Sequence, residues 1–298
     1  MQFLKQNTAL ALVAALVIFC ACVWTLVYAQ TPRGVLTFAV LNVGQGDSLY
    51  IEGPTGVQLV VDGGPDDSLL RELPKVMPLF DRSLDAVIET HPDADHISGF
   101  ADLLKRYEVG AFIEPGIQKD TVVAQNLERE IADKKIPRVI ARRGMWLDLG
   151  GLPGQGRAQL QILFPDYDVS HINQKADNDG GIVAHLVYGA TSVLLMADVS
   201  SVVEDHLMTI GTSTDLASTI LKVGHHGSRF STEDSFVSEV APQIALISVG
   251  AHNTYGHPTP QTLNTLAAHN VEVLRTDKNG TVTCTSNGAA FACATEKN

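Results

Sequence analysis

Side chains that can bind metal or move protons are concentrated in four places in this sequence. Each place follows an apolar run typical of a buried β-strand. The apolar runs cover residues 84–89, 192–196, 220–223 and 244–249. This arrangement predicts that the chemistry of the chain takes place at strand ends.

Strand-like and helix-like runs alternate along the chain, with several strands between single helices, twice over. Helices are predicted at residues 67–79, 97–107, 121–135, 201–210, 232–240 and 259–268. The terminal residues read as a hairpin around Asn287-Gly288. The pattern predicts an α/β fold with two sheets covered by helices.

Composition excludes several classes of protein. The chain has 298 residues, of which 45% are hydrophobic and 18% charged, so it is neither disordered nor a coiled coil. No linker or repeat interrupts residues 34–298, which are predicted to form one domain. The net charge of −12 argues against non-specific binding of nucleic acid through a basic surface.

An uncharged apolar run covers residues 8–29 and is long enough to cross a bilayer as a helix. Two interpretations of residues 1–30 stay open. The length of the run favours an uncleaved single-pass membrane anchor, whereas Val27-Tyr28-Ala29 resembles the cleavage site of a signal peptide. The few flanking positive charges favour an extracytoplasmic domain.

The segment Thr90-His91-Pro92-Asp93-Ala94-Asp95-His96 contains two His and two Asp within six residues. Four ligand-type residues in so short a loop predict a metal site. His91 and Asp93 are expected to share one ion, and Asp95 and His96 to address a second. The alternative is an acidic turn before a helix, with one Asp as its N-cap.

The other three places hold fewer candidate ligands. Asp198 follows the second apolar run and is either a helix N-cap or a ligand that bridges two ions. His225 and His226 follow the third run, and His257 follows the fourth. Structural roles are expected for the isolated histidines, which are His171, His185, His206, His252 and His269.

These residues resemble the signature of the metallo-β-lactamase superfamily, His-x-His-x-Asp-His, with Asp93 in place of the second His. Segments 41–48, 60–64, 225–228 and 255–258 make the chain similar to one branch, the C-terminal domain of the ComEC-like competence proteins, which take up DNA. The resemblance covers roughly residues 35–295. It implies a four-layer αββα sandwich with a two-metal site at the strand ends.

The resemblance implies six metal ligands. They are His91, Asp93, Asp95, His96, Asp198 and His257. The first two would hold one ion and the next two the other, with Asp198 bridging the ions and His257 completing the ligand set of the second ion. Carboxylate oxygens are harder ligands than imidazole nitrogens, and harder ligands favour Mn²⁺. Zn²⁺ and Mn²⁺ are therefore both expected as cofactors.

Further residues receive supporting roles by the same resemblance. Asp62 would support from behind the segment His91–His96, which we call the metal loop. Asn178 and Asp179 stand at the third motif, where the superfamily normally has His. Ala197 replaces a customary Gly before Asp198.

Catalysis is expected to involve Asp95 and one of two adjacent histidines. His226 or His225 would protonate a leaving group or bind a phosphate oxygen, and His226 is preferred because Gly227 beside it allows close approach. The expected phosphate contacts, for which turn formation is an equal alternative, are Ser228, Asn253 and Tyr255.

These features imply a two-metal phosphodiesterase at the membrane, a nuclease acting on single-stranded DNA. ComEC-like proteins also carry a multi-span channel, so a separate channel protein is an expected partner. Two alternatives are a stand-alone metallo-hydrolase of a small ester or phosphodiester and a non-catalytic accessory of a DNA channel.

Cys284 and Cys293 flank the predicted terminal turn. A two-residue Asn-Gly turn pairs Cys284 with Phe291, whereas a four-residue loop pairs the two cysteines on one face of the sheet. Because Asn-Gly favours the short turn, two free thiols are expected.

Overall fold

The structure, a computed structural model, describes residues 2–30, 34–154, 156–173, 177–211 and 213–297. The chain divides into two compact units, Met1–Arg33 and Gly34–Asn298. The first unit contains helix α1, Gln2–Gln30. No helix within the described ranges combines the length and the hydropathy that a membrane span needs. The membrane anchor therefore stays a prediction.

The second unit is built on β-strands that form two large sheets. In chain order the strands are β1 (Leu36–Val40), β2 (Leu49–Glu52), β3 (Gln58–Val61), β4 (Ser83–Leu84), β5 (Ala86–Ile88), β6 (Glu108–Val109), β7 (Phe112–Glu114), β8 (Arg138–Ile140), β9 (Trp146–Gly150), β10 (Ala158–Phe164), β11 (Val183–Tyr188), β12 (Thr191–Leu195), β13 (Ile220–Lys222), β14 (Ile244–Ile247), β15 (Glu272–Arg275), β16 (Val282–Ser286) and β17 (Phe291–Thr295). The first sheet has the order β17-β16-β1-β2-β3-β5-β7-β8 and the second the order β15-β14-β13-β12-β11-β10-β9. Strands β4 and β6 form a separate pair.

Helices connect these strands and cover the outer faces of the sheets. They are α2 (Leu69–Glu72), α3 (Ala94–Arg106), α4 (Val122–Lys134), α5 (Ser201–Ile210), α6 (Ser213–Leu216), α7 (Asp234–Val240), α8 (Pro260–Ala268) and α9 (Thr276–Asn279), with 3₁₀ turns at Leu73–Lys75, Asp177–Gly180 and Gly224–Gly227. The parallel pairs, such as β12 with β13, are joined through helices, as parallel pairing requires.

Three apolar clusters hold the layers together. The central cluster contains Phe38 of the first sheet and Leu186 of the second, so the two sheets face each other. A second cluster joins the first sheet to α3 through Phe100 and Phe112. A third joins the second sheet to α7 through Phe236. The order helix, sheet, sheet, helix confirms the predicted α/β class.

Several elements differ from the sequence prediction, among them α2 and β9, and helices α6 and α9 were not predicted. The helix expected over residues 67–79 is wrong in extent, since α2 ends at Glu72 and a 3₁₀ turn, Leu73–Lys75, follows. Pro74 has no N–H to continue the helical hydrogen bonds, which accounts for the break. Strand β9 was not predicted, because its exposed and half-buried start lacks a strand-like apolar run.

The terminal hairpin also differs from the prediction. Strands β16 and β17 pair Cys284 with Cys293, which leaves a four-residue loop, and the two cysteines form a disulfide. The expectation of two free thiols is therefore wrong. The Gly288 carbonyl accepts the N–H of Ala190 at 2.7 Å, so a contact with the β11–β12 turn holds the longer loop against the local Asn-Gly preference.

Candidate metal centre

The candidate site lies where strands of both sheets end. Strand β5 leads into the segment that carries His91, and α3 begins at Ala94, so Asp95 and His96 occupy the first helical turn. Asp198 follows β12, and the turn Gly224–Gly227 follows β13. The end of the first sheet thus meets the end of the second.

Four side chains converge there, namely Asp95, His96, Asp198 and His226. One ligand atom from each lies within 4.8 Å of the others. Asp198 Oδ2 is 3.4 Å from His96 Nε2 and 3.3 Å from His226 Nε2. His226 Nε2 is 3.6 Å from Asp95 Oδ2. We call these four residues the ligand cluster.

The buried polar atoms of the ligand cluster fit a cation. His96 Nε2, His226 Nε2 and Asp198 Oδ1 are buried and have no hydrogen-bond partner among the described residues. Buried polar atoms are normally paired, so these three unpaired atoms require an explanation, and both imidazole nitrogens lie within 3.4 Å of Asp198 Oδ2. A divalent cation would satisfy all of them, and two imidazoles with two carboxylates suit Zn²⁺ or Mn²⁺.

Neighbouring groups fix the orientation of both imidazoles. His96 Nδ1 lies 2.8 Å from Asp62 Oδ2, and Asp62 also accepts the backbone N–H and the hydroxyl of Thr90. His226 Nδ1 lies 3.0 Å from the carbonyl oxygen of Ser248. When Nδ1–H donates to these oxygens, each Nε2 carries the lone pair that a metal needs.

Electrostatics couple the protonation of the two cluster imidazoles to the charge of Asp198. Burial opposes protonation of His96 and His226, but the charge of Asp198 outweighs it and holds the pKa of each imidazole well above its usual range, so metal binding must displace those protons. Burial opposes ionisation of Asp198, but His226 and His96 outweigh it and hold the pKa of Asp198 well below its usual range. Burial first, and then the charge of His96, lowers the pKa of His91 to about 4. A neutral His91 ring and an ionised Asp198 are the states in which these groups bind metal.

The side of the site predicted to hold the other ion offers fewer ligands. His91 Nε2 is 3.9 Å from Asp93 Oδ2. Among the described residues, no third His, Cys, Asp or Glu places a ligand atom within 4.8 Å of both, so these two residues do not form a ligand group of three. At the third motif, Asp179 accepts the N–H of Ser200 at 2.8 Å, and Asn178 belongs to the turn Asp177–Gly180. Neither Asn178 nor Asp179 lies in a ligand group.

His225 and His257 lie at the mouth of the site. His225 is half-buried, with Nε2 3.8 Å from Asp198 Oδ2. Its ring centroid is 5.7 Å from that of His257, which in turn stacks on the exposed Tyr255 at 5.8 Å. His257 is not brought into the ligand cluster.

An unusual backbone conformation presents the two adjacent histidines. His225 and His226 have φ angles of 48° and 53°, in the left-handed region that non-glycine residues seldom adopt. Ala197, where a Gly is customary, has φ 48° and accepts the N–H of His225 at 2.9 Å. Such conformations cost free energy and persist where packing enforces them. Here they direct His226 into the cluster and His225 to its mouth.

The predicted phosphate contacts divide into two groups. Ser228 is buried, and its Oγ accepts the N–H of Phe230 at 3.3 Å. The Asn253 amide donates to the carbonyl of His257 at 2.8 Å and its oxygen accepts the N–H of the same residue. Ser228 and Asn253 thus stabilise turns, whereas Tyr255 is 70% exposed beside the site.

Sequence reasoning missed a buried ion pair behind His226. Lys222 Nζ donates to Asp47 Oδ2 at 2.7 Å, and both side chains are almost fully buried. Asp47 Oδ1 lies 3.5 Å from His226 Nδ1. The sequence feature that indicates this ion pair is Lys222 itself, which lies within an apolar strand. A Lys is almost never fully buried without a partner, so a charged partner could have been expected.

Comparison with known proteins agrees with this geometry. Residues 41–252 match the Metallo-beta-lactamase superfamily. ComE operon protein 3 of Bacillus subtilis is 29% identical over 263 residues, which are 82% of this chain and 32% of that protein. Competence protein ComA of Neisseria gonorrhoeae is 27% identical over 250 residues, 84% of this chain and 32% of that protein. The chain therefore spans about a third of the length of these curated relatives.

A solved structure shares the fold. The metallo-beta-lactamase fold protein YhfI from Bacillus subtilis has a TM-score of 0.51 and 11% identity, covering 87% of this chain and 100% of that one. The resemblance to ComEC-like competence proteins, inferred from the motifs, is confirmed by the curated relatives. This chain belongs to the metallo-beta-lactamase superfamily.

Proposed function

We propose that this protein is a metal-dependent phosphodiesterase that cleaves DNA during DNA uptake. The observation that carries the proposal is the convergence of buried, unpaired ligand atoms in the ligand cluster. The competence proteins among its relatives support DNA as the substrate. The acidic net charge of −12 does not oppose this, because a cation in the cleft reverses the local field that a phosphate meets.

The side chains of the site have separate tasks in this proposal. A divalent cation, when bound, stabilises charge on the phosphate oxygens and activates water for attack. Asp95, whose side chain is 35% exposed, faces the open side and accepts the proton of the attacking water. His225 at the mouth donates a proton to the leaving oxygen, while Asp62 and Ser248 keep His96 and His226 oriented.

The proposal requires one divalent ion, Zn²⁺ or Mn²⁺, at the ligand cluster. Carboxylate ligands make Mn²⁺ a competitor of Zn²⁺. The second ion expected from the sequence would have His91 and Asp93 as ligands, and His91 Nε2 lies 3.9 Å from Asp93 Oδ2.

We also propose that residues 1–30 attach the domain to the outer side of a membrane, beside a separate channel protein. The uncharged run 8–29 supports the attachment. The Cys284–Cys293 disulfide supports an oxidising compartment.

The test uses the full chain with Mn²⁺ or Zn²⁺ and two substrates, end-labelled single-stranded DNA and bis-p-nitrophenyl phosphate. We expect both to be hydrolysed by the wild type and by Asp133→Asn, an exposed position on α4, and neither by Asp198→Asn. A chelator should abolish both activities.

The outcomes separate the alternatives. Turnover of bis-p-nitrophenyl phosphate with intact DNA would remove the nuclease claim and favour a small phosphodiester substrate. If neither substrate is hydrolysed but p-nitrophenyl acetate, assayed in parallel, is hydrolysed, the esterase alternative is favoured. Binding of metal without turnover of any substrate would favour the non-catalytic accessory.

A further inference from the structure

Lys119 lies between two carboxylates beside the metal loop. Its Nζ donates hydrogen bonds to Asp93, a predicted ligand, and to Asp177, the first residue of the third-motif turn. The side chains of Lys119, Asp93 and Asp177 are 20%, 28% and 6% exposed, so the contact is largely shielded from water. Sequence reasoning did not single out Lys119.

The two carboxylates that Lys119 holds are the ones a second ion would need. His91 and Asp93 supply two ligand atoms, and His91 Nε2 is buried without a partner among the described residues. Asp179 Oδ1 accepts the N–H of Ser200, and the other carboxylate of the third-motif turn is that of Asp177, which pairs with Lys119. Both Asp93 and Asp177 already neutralise the ammonium of Lys119.

The ligand cluster differs on this point. Among the described residues, Asp95, His96, Asp198 and His226 have ion-pair contacts with one another and with neighbouring His and Asp side chains, and none with a Lys or an Arg. Among the described residues, one half of the site thus has no Lys or Arg against its ligand atoms, whereas the other half holds the ammonium group of Lys119.

We infer that Lys119 takes the place of a second metal ion, so that the centre binds one divalent cation tightly per chain. The inference rests on the metal centre of the proposed function. An ammonium group and a divalent cation repel each other at such short range, so both cannot share Asp93 and Asp177. The lysine supplies a second positive group that can contact a phosphate oxygen as a point charge.

The experiment counts metal ions per chain. The full-length protein is stripped with chelator, dialysed against Mn²⁺ or Zn²⁺, and assayed by inductively coupled plasma mass spectrometry, with isothermal titration for the affinity of each site. The variants are Lys119→Met, Lys119→Arg and Asp93→Asn. Lys105→Met is the matched control, because Lys105 on α3 pairs with the exposed Asp102.

We expect one ion in the wild type, in Lys119→Arg and in Lys105→Met. Lys119→Met should bind two, because Asp93 and Asp177 then lack a counter-ion and become available with His91. Asp93→Asn should keep its single ion, since Asp93 lies outside the ligand cluster.

Two ions in the wild type, reduced to one by Asp93→Asn, would overturn the inference and restore the two-metal centre. A single ion in Lys119→Met would equally contradict the role of the lysine. If circular dichroism shows that Lys119→Met does not fold, the wild-type and Asp93→Asn counts decide the question. No bound ion in the wild type would instead contradict the proposed metal centre itself.

Discussion

At the scale of single residues, the ion pair between Lys222 and Asp47 supports the back of the site. Both partners are buried, at 0% and 1% exposure of the side chain. Lys222→Met leaves Asp47 ionised and without its counter-ion, so we expect the free energy of unfolding to fall by about 3–5 kcal/mol. Urea denaturation followed by circular dichroism measures this loss.

The control for this prediction is Lys105→Met. The pair of Lys105 with Asp102 is about half exposed, so Lys105→Met should lower the free energy of unfolding far less than Lys222→Met does. Equal losses in the two variants would show that Asp47 does not depend on Lys222.

His185 predicts a pH dependence of stability outside the site. Burial lowers the pKa of His185 from 6.5 to about 4, against the smaller opposing effect of Asp215. Because the folded state binds fewer protons than the unfolded state, the stability contributed by His185 is present above pH 6.5 and is lost as the pH falls towards 4. Ser218 Oγ lies 3.1 Å from His185 Nε2, and a Gln side chain can still bond to it.

The measurement compares the wild type with His185→Gln. Between about pH 7.5 and about pH 5, the wild type should lose about 2 kcal/mol of unfolding free energy relative to the variant. Parallel pH profiles for the two proteins would show that folding does not lower the pKa of His185.

Single residues also show how far the sequence predicts the site. The metal loop is recognisable because four ligand-type residues stand close together in the sequence. Lys119 and Asp177 come from distant segments and meet only through the fold, so no local spacing identifies them. Lys222 gives a weak local signal, but its partner Asp47 is 175 residues away.

At the scale of elements, the disulfide links the two strands at the edge of the first sheet. The double variant Cys284→Ser, Cys293→Ser should lose about 2–3 kcal/mol of unfolding free energy, because the unfolded chain gains the freedom of the closed loop. Thermal unfolding with and without reductant measures the loss. Stability of the wild type that is unaffected by reductant would mean that the bridge is absent or contributes nothing.

The loop between β1 and β2 touches the metal-binding turn of α3. A Cβ at Gly46 would lie 2.1 Å from the carbonyl oxygen of Asp95, and Gly46 has φ 139°. Gly46→Ala should therefore displace Asp95 and weaken metal binding by about 10-fold or more. Gly44→Ala is the matched control, because Gly44 also has a positive φ of 88° but nothing lies within 4 Å of an added Cβ.

Metal affinity of both glycine variants is measured by isothermal titration. Equal affinities would show that the close contact of this loop does not position Asp95.

The elements themselves were predictable where one local signal dominates. Helix α5 begins and ends as predicted, because its amphipathic run is preceded by Ser200, whose side chain caps it by accepting the N–H of Val202. Strands β13 and β14 begin where the predicted apolar runs 220–223 and 244–249 begin, and they end within those runs. The terminal hairpin was not, since its loop is set by a contact with Ala190 in the other sheet.

At the scale of the whole molecule, the site depends on both sheets at once. The first sheet and α3 supply Asp95 and His96, while the second supplies Asp198 and His226. The fold class follows from the alternation of strands and helices. That alternation does not show where the ends of the two sheets meet. The sequence alone therefore could not identify which four residues form the ligand cluster.

The most direct test of the account measures bound metal and hydrolysis on the same preparations. Wild type, His96→Ala and His206→Ala are compared, since His206 lies on α5 and pairs with Asp166 away from the ligand cluster. We expect metal and turnover of bis-p-nitrophenyl phosphate in the wild type and in His206→Ala. His96→Ala should fold normally, lose tightly bound metal and lose turnover by on the order of 100-fold or more. Metal content and turnover of His96→Ala equal to those of the wild type would contradict the account.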